Sequence, residues 1–278
     1  MAGYDMRSGF VLPWGTATEQ LDLAVLAEQA GWDGLFVWEA AYGIDAWSLL
    51  AAMAARTARI KLGTMLTPLP WRRPWKVASQ VATLDQLSGG RAVLAVGVGA
   101  TDTHLPSTGE VTGIRDRAER LDEGIDLIRE LWAGRNDYHG QHYVYQTGRT
   151  DLGAVARPVQ ERIPIWVVGA WPRPKSMRRV LRCDGIIPQY DLDGREPKPG
   201  DAREVKDWLT DHGARAGLDV ISEGETPADD HAAAVAAVIP WAEAGCTWWL
   251  ETRWEMPHDA EERMHQVRER LTAGPPTG

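Results

Sequence analysis

Residues 83–100, TLDQLSGGRAVLAVGVGA, carry the pattern that separates the two fold classes open to this chain. A helical segment closes at Ser88–Gly90, a run of small and branched apolar residues follows, and the stretch finishes in Gly97–Gly99. Such a run into glycines is typical of a strand before a phosphate-binding turn. A dinucleotide fingerprint needs a third glycine at the position of Asp102, and a carboxylate there would repel a pyrophosphate. We therefore favour a barrel strand whose glycines stand at the barrel mouth.

The rest of the chain alternates short apolar runs with longer amphipathic segments, which predicts a parallel sheet covered by helices. Eight such units in 278 residues fit an α/β fold of the (β/α)8 TIM-barrel class, with a doubly wound open sheet as the alternative. The eight predicted strands are Ser8–Pro13, Gly34–Glu39, Arg59–Leu66, Ala92–Gly99, Ile163–Ala170, Asp184–Tyr190, Asp219–Glu225 and Cys246–Glu251.

We expect one domain over residues 1–278, with a small hairpin insertion near residues 138–158, between the fourth and fifth strands, and a frayed tail over residues 272–278. Thr18 and Asp45 are predicted to cap the first two helices, because both precede amphipathic segments.

Composition excludes several classes of function. The net charge of −9 argues against a general nucleic-acid binder, which needs a basic face. Cys183 and Cys246 form neither a disulfide framework nor a metal-spaced pair, so we expect no metal and a reducing, cytoplasmic location. No signal peptide or apolar run of about 20 residues is present, so we expect no membrane partner.

Several stretches resemble the luciferase-like monooxygenase family, which includes FMN-dependent monooxygenases and oxidoreductases that use coenzyme F420, a deazaflavin. The similarity is carried by RIKLGTMLTPLPWRRPWKVASQVATLDQLSGGRAVLAVGVGA (residues 59–100), RAERLDEGIDLIRELWAG (117–134), GQHY (140–143), PVQERIPIWVVGA (158–170) and RCDGIIP (182–188). It covers most of the chain from Ser8 to about Tyr190, and the last third matches only loosely.

The resemblance implies a barrel whose mouth holds a flavin or deazaflavin ring. It places a cis non-prolyl peptide bond behind the ring at Thr64–Met65. It also implies cofactor contacts along the fourth and fifth strands, where Gly97, Val98 and Gly99 would lie near the ring or ribityl chain, and Gly169 and Ala170 would receive the phosphate.

The residues around these positions add further indications, each with an alternative. Trp38 and Trp171 stand at predicted strand ends and could form an apolar wall over the ring, or pack in the core. The glycines could instead relieve crowding in a tight barrel. The cations that follow the fifth strand could serve the phosphate or form a solvated helix face; they are Arg173, Lys175, Arg178 and Arg179.

Two acid–base groups that the resemblance leads us to expect are absent. Many deazaflavin enzymes carry a histidine where this chain has Ala40, and one subgroup carries an acid where it has Ala100. The remaining catalytic candidates are Glu39, Glu251 and His104. The two glutamates end the second and eighth strands and are expected to face one cavity; the alternatives are a carboxylate–arginine pair, for instance with Arg253, and a solvated His104.

The resulting functional hypothesis is an FMN-dependent monooxygenase that oxygenates a small organic substrate, with reduced flavin supplied by a separate reductase. A coenzyme F420-dependent hydride-transfer oxidoreductase is the alternative in the same family. A non-catalytic flavin-binding barrel and an unrelated barrel enzyme are the alternatives of other classes. The alanine-rich segment LLAAMAART (residues 49–57) could support a homodimer or ordinary barrel packing.

Overall fold

The computed structural model of the chain describes residues 6–13, 15–39, 43–101, 109–135, 137–146, 157–253 and 259–277. The strands in this part of the chain are β1 (Arg7–Leu12), β2 (Gly34–Val37), β3 (Lys61–Thr64), β4 (Thr67–Pro68), β5 (Ala92–Gly97), β6 (Asp137–His139), β7 (Val144–Gln146), β8 (Ile165–Trp171), β9 (Gly185–Tyr190), β10 (Asp219–Gly224) and β11 (Trp248–Glu251). The helices are α1 (Ala17–Gln29), α2 (Ala46–Arg56), α3 (Pro74–Ser88), α4 (Ile114–Trp132), α5 (Pro174–Val180), α6 (Pro199–Asp211), α7 (His231–Glu243) and α8 (Ala260–Thr272).

The strands close into a parallel barrel. Their order is β3-β2-β1-β11-β10-β9-β8-β5, and β3 pairs with β5 through Leu62↔Ala92 and Gly63↔Val93. The two-residue β4 extends β5, while β6 and β7 form the separate antiparallel hairpin. The (β/α)8 prediction is confirmed, and the closing β3–β5 pair excludes the open sheet.

Alternation along each strand divides the apolar side chains into two layers. One layer fills the barrel interior and consists of Val11, Phe36, Met65, Val93, Ala95, Trp166, Ile187, Ile221, Trp248 and Leu250. The other lies between the strands and the helices. Because successive side chains point to opposite faces, this division shows which strand-end residues face the barrel mouth and which face the helices.

Local details differ from the expectations at both ends of the chain. Thr16, rather than Thr18, caps α1, because Thr16 and Glu19 form a reciprocal capping box. Asp45 caps α2 as predicted, accepting a hydrogen bond from the Ser48 N–H at 2.7 Å. The expected frayed tail is packed instead: Pro276 is buried, and the Gly274 carbonyl accepts a hydrogen bond from Arg270.

The alanine-rich α2 uses its large apolar side chains within the chain. Leu49, Leu50 and Met53 are buried, and α2 packs against α3 and α1. A homodimer through this helix therefore stays a prediction. Among the described residues, none of the helices combines the length and the apolar character that a membrane span requires.

A buried carboxylate ties the amino-terminal end of the barrel together. Asp184 accepts hydrogen bonds from Arg129 at 2.6 Å, Arg162 at 2.5 Å and Arg215 at 2.6 Å. The Ile165 N–H donates a further bond at 3.0 Å. Burial alone would raise the pKa of Asp184, but these donors and the arginine charges outweigh it and hold the pKa below its ordinary 3.8.

We expect Asp184→Asn to lower the free energy of unfolding by about 2–3 kcal/mol at neutral pH, because three charge-assisted hydrogen bonds are weakened. The lowered pKa places this stabilisation above pH 3.8, and it is lost as the pH falls through the folded-state pKa. Urea unfolding of both proteins from neutral pH downwards measures the difference. A difference that grows below pH 3.8 would contradict the assignment.

Candidate functional site

An apolar wall covers one side of the barrel mouth, at the carboxyl ends of four neighbouring strands in the order β2-β3-β5-β8. Trp38 follows β2 with 39% of its surface exposed, and Leu66 follows β3. Gly97 ends β5, and Val168 lies on the inward face of β8 against the interior layer. A surface of this kind, apolar and nearly continuous, suits one face of a flat ring.

The cis non-prolyl peptide bond lies at Met65–Leu66, one residue beyond the predicted Thr64–Met65. Thr64 still belongs to β3, where its buried hydroxyl bonds Thr67 at 2.9 Å and faces the Ala95 carbonyl. The chain leaves the strand only after Thr64, so the prediction of this position is corrected. Met65 is buried in the interior layer and Leu66 packs against it at the mouth.

The glycines at the end of β5 are explained by close packing. A Cβ atom at Gly97 would lie 3.0–3.3 Å from the Leu66 and Val168 side chains. Gly99 has a φ of +79°, and its Cβ would lie 2.8 Å from Trp71 Cε3 and closer still to Cζ3. The crowding alternative therefore accounts for both residues, and contact between Gly97, Val98 or Gly99 and a cofactor stays a prediction.

Arg117 holds the turn after β5 in place. Its Nη1 donates to the carbonyls of Val98 at 3.1 Å and Gly99 at 2.6 Å, and its Nε donates to the Thr112 carbonyl at 3.0 Å. The guanidinium lies 5.5 Å from the centre of the Trp71 ring. Arg117 was not among the predicted site residues, because an arginine in a helical segment gives no sequence signal that it bonds a distant loop.

Glu39 is buried on the helix side of the apolar wall. Its carboxylate accepts hydrogen bonds from the Thr67 hydroxyl and from Trp47 Nε1 at 3.2 Å, and it pairs with Arg72. Burial raises the pKa of Glu39 above its ordinary 4.5, opposed mainly by the Arg72 charge. These contacts connect the ends of β2 and β4, so the geometry shows Glu39 bracing the chain around Leu66.

Glu251 also faces the helices, because it alternates with the inward Leu250. It is completely buried and accepts hydrogen bonds from the Thr226 N–H at 2.9 Å and the Thr226 hydroxyl at 2.7 Å. Arg253 and Arg270 each approach its Oε1 to 3.5 Å. The expected cavity shared by the two glutamates is not formed by the described residues, and each carboxylate pairs with arginine as the alternative proposed.

Successive residues at the end of β8 point alternately toward the helices and toward the barrel interior. Gly169 faces helix α5, where a Cβ atom would lie 2.6 Å from Ile186 Cδ1 and 3.0 Å from Val180 Cγ2. The Ala170 N–H, which was expected to bind phosphate, donates to Ser176 Oγ at 2.9 Å. Trp171 packs on the helix side, with its ring 6.3 Å from that of Trp208. Cofactor contacts by these residues stay predictions.

Other candidates fall outside this geometry. His104 and Ala40 lie outside the described residues. Ala100 is exposed just beyond the β5 glycines, and as an alanine it provides no acid at this position. In the described part of the chain, no group of three His, Cys, Asp or Glu side chains is arranged to hold a metal ion.

Two polar residues on the opposite side of the mouth were missed. Gln189 on β9 pairs in register with the inward-facing Ala170, and Glu223 on β10 pairs with the inward-facing Leu250. Both are exposed. Alternation from the buried Ile187 and Ile221 puts both side chains on the inward face of the barrel. The same alternation is visible in the sequence, where Ile187 and Ile221 each stand two residues before these polar side chains.

Comparisons with known proteins agree with this fold. A family model for luciferase-like monooxygenases matches residues 6–275. A protein of Mycobacterium tuberculosis, named for the coenzyme F420-dependent oxidoreductases, is 30% identical over 247 residues, which are 82% of this chain and 68% of that protein. The F420-dependent glucose-6-phosphate dehydrogenase of Nakamurella multipartita is 35% identical over 61% of this chain.

The chain spans about half the length of that dehydrogenase, 51%, so the similarity covers only part of it. Among solved structures, the coenzyme F420-dependent tetrahydromethanopterin reductase of Methanopyrus kandleri superimposes with a TM-score of 0.69 at 18% identity, covering 97% of each chain. At this identity the superposition shows a shared fold.

Proposed function

Because the chain belongs to the luciferase-like monooxygenase family of oxidoreductases, we propose that it transfers hydride between coenzyme F420 and an organic substrate. The observation that carries this proposal is the apolar wall that covers one side of the barrel mouth along β2, β3, β5 and β8. The choice of F420 rests on the names of two relatives, which are similar to 82% and 61% of this chain and are both named as F420-dependent.

The wall fits the ring of a flavin-type cofactor. Leu66 and Val168 flank Gly97, so this described part of the floor consists of apolar side chains and glycine, which offer a ring contact without holding water by side-chain hydrogen bonds. Trp38 adds aromatic area beside this floor. Apolar and aromatic lining with a few polar groups is the usual composition of a site for a flat ligand.

The phosphate end fits less completely. The Ala170 N–H is bonded to Ser176 Oγ, so a phosphate must either displace that hydroxyl or be bound by it. Arg173 already pairs with Asp191 at 3.0 Å, and Arg179 pairs with Asp122 at 2.8 Å. The cations nearest the turn are therefore partly neutralised, and cofactor affinity must come mainly from the ring.

When bound, the deazaflavin supplies a carbon centre that accepts or donates hydride. The chain's own residues bind and orient the ring. Arg117 fixes the Val98–Gly99 backbone, and Glu39, through Thr67, fixes the chain after Leu66. The apolar wall excludes water from one ring face, so the substrate must approach from the opposite side of the mouth.

FMN-dependent oxygenation is the second candidate. Ala100 favours it, because the acid expected in one F420-dependent subgroup is absent there. In this version a separate reductase would supply reduced FMN, and the same wall would exclude water from the ring. The two candidates share the ring site and differ in the reaction.

Titration of the purified chain with oxidised F420 and with FMN, followed by fluorescence, tests the proposal. We expect F420 to bind at least about tenfold more tightly than FMN, a difference of about 1.4 kcal/mol. Preferential binding of FMN, with oxygen consumption by its reduced complex, would favour the second candidate. Binding of neither would reject both, and binding without turnover of any substrate would indicate a non-catalytic flavin-binding barrel.

A further inference from the structure

The turn of the small hairpin, residues 140–143 (GQHY), is bound to helix α4, and the proposed function makes no use of it. The Glu123 carboxylate on α4 accepts hydrogen bonds from three successive backbone N–H groups of the turn, those of Gln141 at 2.7 Å, His142 at 2.9 Å and Tyr143 at 3.1 Å. These bonds hold the turn against the side of α4, where the helix presents further carboxylates.

The His142 side chain lies between two of those carboxylates. Its Nδ1 is 3.5 Å from Asp116 Oδ1, and its Nε2 is 3.2 Å from Glu119 Oε2. The side chain is only 12% exposed, so water has little access to it. Both ring nitrogens therefore face ionised carboxylates, which accept hydrogen bonds and cannot donate them.

A neutral imidazole fits this arrangement poorly, because it has one N–H group and one lone pair. Whichever nitrogen of His142 carries the hydrogen, the lone pair of the other is turned toward a carboxylate oxygen. The imidazolium ion has a hydrogen on each nitrogen and can satisfy both carboxylates. The geometry therefore favours the protonated ring, and histidine is the side chain that ordinarily changes its charge between about pH 5 and pH 8.

The neighbouring arginines reduce this preference without removing it. Arg115 pairs with Glu119 at 2.9 Å and Arg120 pairs with Asp116 at 2.9 Å, so an imidazolium shares each carboxylate with an arginine. The hydrogen bonds from Arg115 and His142 lower the pKa of Glu119 below its ordinary 4.5. Glu119 therefore stays ionised at about pH 5.5, where an ordinary histidine is protonated.

Other groups near the turn keep one charge state over this range. Burial raises the pKa of Tyr143, so its hydroxyl stays neutral. Arg73, at the start of α3, is a permanent cation whose charge acts on Tyr143. His139 on β6 is the second histidine of the hairpin, and it is exposed. A change in the attachment of the turn near neutral pH can therefore be assigned to one of two histidines.

We propose that His142 is a pH-sensitive latch, whose protonation tightens the attachment of the hairpin turn to α4. Loss of the proton leaves the bonds to Glu123 in place and removes one of the two ring contacts, so the turn is held less tightly. The latch acts on the part of α4 that also carries Arg117, the residue that holds the Val98–Gly99 backbone at the barrel mouth. This inference is independent of the proposed hydride transfer.

Hydrogen exchange of the full chain, followed by mass spectrometry of peptides that cover residues 137–146, tests the latch. After correction for intrinsic exchange rates, we expect protection of these peptides to be about fivefold higher at about pH 5.5 than at about pH 8, the size of effect that two half-exposed ion pairs give together. Peptides from α8 should show no such difference. A difference shared by α8 would indicate a general effect of pH and would overturn the proposal.

Three variants assign the effect to its residues. His142→Gln should abolish the pH dependence and leave the weaker protection at both pH values. Glu119→Gln keeps the histidine and removes one carboxylate; it should reduce the pH dependence, and it tests the latch separately if His142→Gln folds poorly. His139→Gln is the matched control, because His139 is an exposed histidine of the same hairpin, and it should behave as the unchanged protein does.

Equal protection of the unchanged protein at the two pH values would overturn the latch. A pH dependence that persists in His142→Gln, or one that disappears in His139→Gln, would do the same. None of these measurements involves F420, so failure of the latch and failure of the proposed function are observed separately.

Discussion

Gly99→Ala is expected to lower the free energy of unfolding by about 2–5 kcal/mol, because overpacking costs about 1–3 kcal/mol and a left-handed backbone about 1–2 kcal/mol. The φ of Gly99 is +79°, and a methyl group there would overlap the Trp71 ring. Trp71 cannot move freely, since its Nε1 donates to the Val111 carbonyl at 2.7 Å and Arg117 lies over its ring. Urea unfolding measures the loss.

Gly217→Ala is the matched control for this substitution. Gly217 has a similar φ of +74°, but a Cβ there would have nothing within 4 Å. It should cost only the conformational part, about 1–2 kcal/mol. Equal losses at the two positions would show that Trp71 does not constrain Gly99.

Arg270→Met is expected to lower the free energy of unfolding by about 3–5 kcal/mol, because it leaves part of a buried charge network unpaired. Arg270 is 1% exposed; its Nε and Nη2 donate to the Thr226 hydroxyl at 3.0 and 2.7 Å, and its Nη1 donates to the Gly274 carbonyl at 2.8 Å. It also lies 5.0 Å from the centre of the Trp32 ring. Its loss therefore weakens the attachment of α8 to β11 and uncovers Glu251.

Arg268→Met is the matched control, because Arg268 lies on the exposed face of the same helix. It should change the free energy of unfolding by less than about 0.5 kcal/mol.

Glu251→Gln tests the carboxylate that Arg270 approaches. It should destabilise the fold while leaving F420 affinity unchanged, because Glu251 faces the helices. A stable Glu251→Gln variant that loses turnover would show instead that Glu251 acts in catalysis, as the sequence first suggested.

Strand positions were predictable because a buried parallel strand leaves a continuous apolar run bounded by polar residues. The predicted strands Ala92–Gly99 and Asp219–Glu225 correspond to the observed strands β5 and β10, which end two residues and one residue earlier, respectively. The residue at which a helix begins was harder to predict. Thr16 rather than Thr18 caps α1 because Glu19 completes the capping box, and the sequence offers both threonines.

The candidate site was only partly predictable, because the decisive fact is the face to which each strand-end side chain points. Glu39 and Glu251 were expected in the mouth, but both turn toward the helices, where arginines meet them. Glu223 and Gln189 were overlooked although alternation points them inward. The partners that decide such orientations, among them Arg72 and Arg270, lie far away in sequence or on another element, so spacing alone does not reveal them.

A crystal structure of the chain with oxidised F420 bound tests the central claim most directly. The account predicts that one ring face lies against Leu66, Gly97 and Val168 and that the other face is turned toward Glu223. A ring bound away from this wall, or bound with its open face turned from β10, would contradict it.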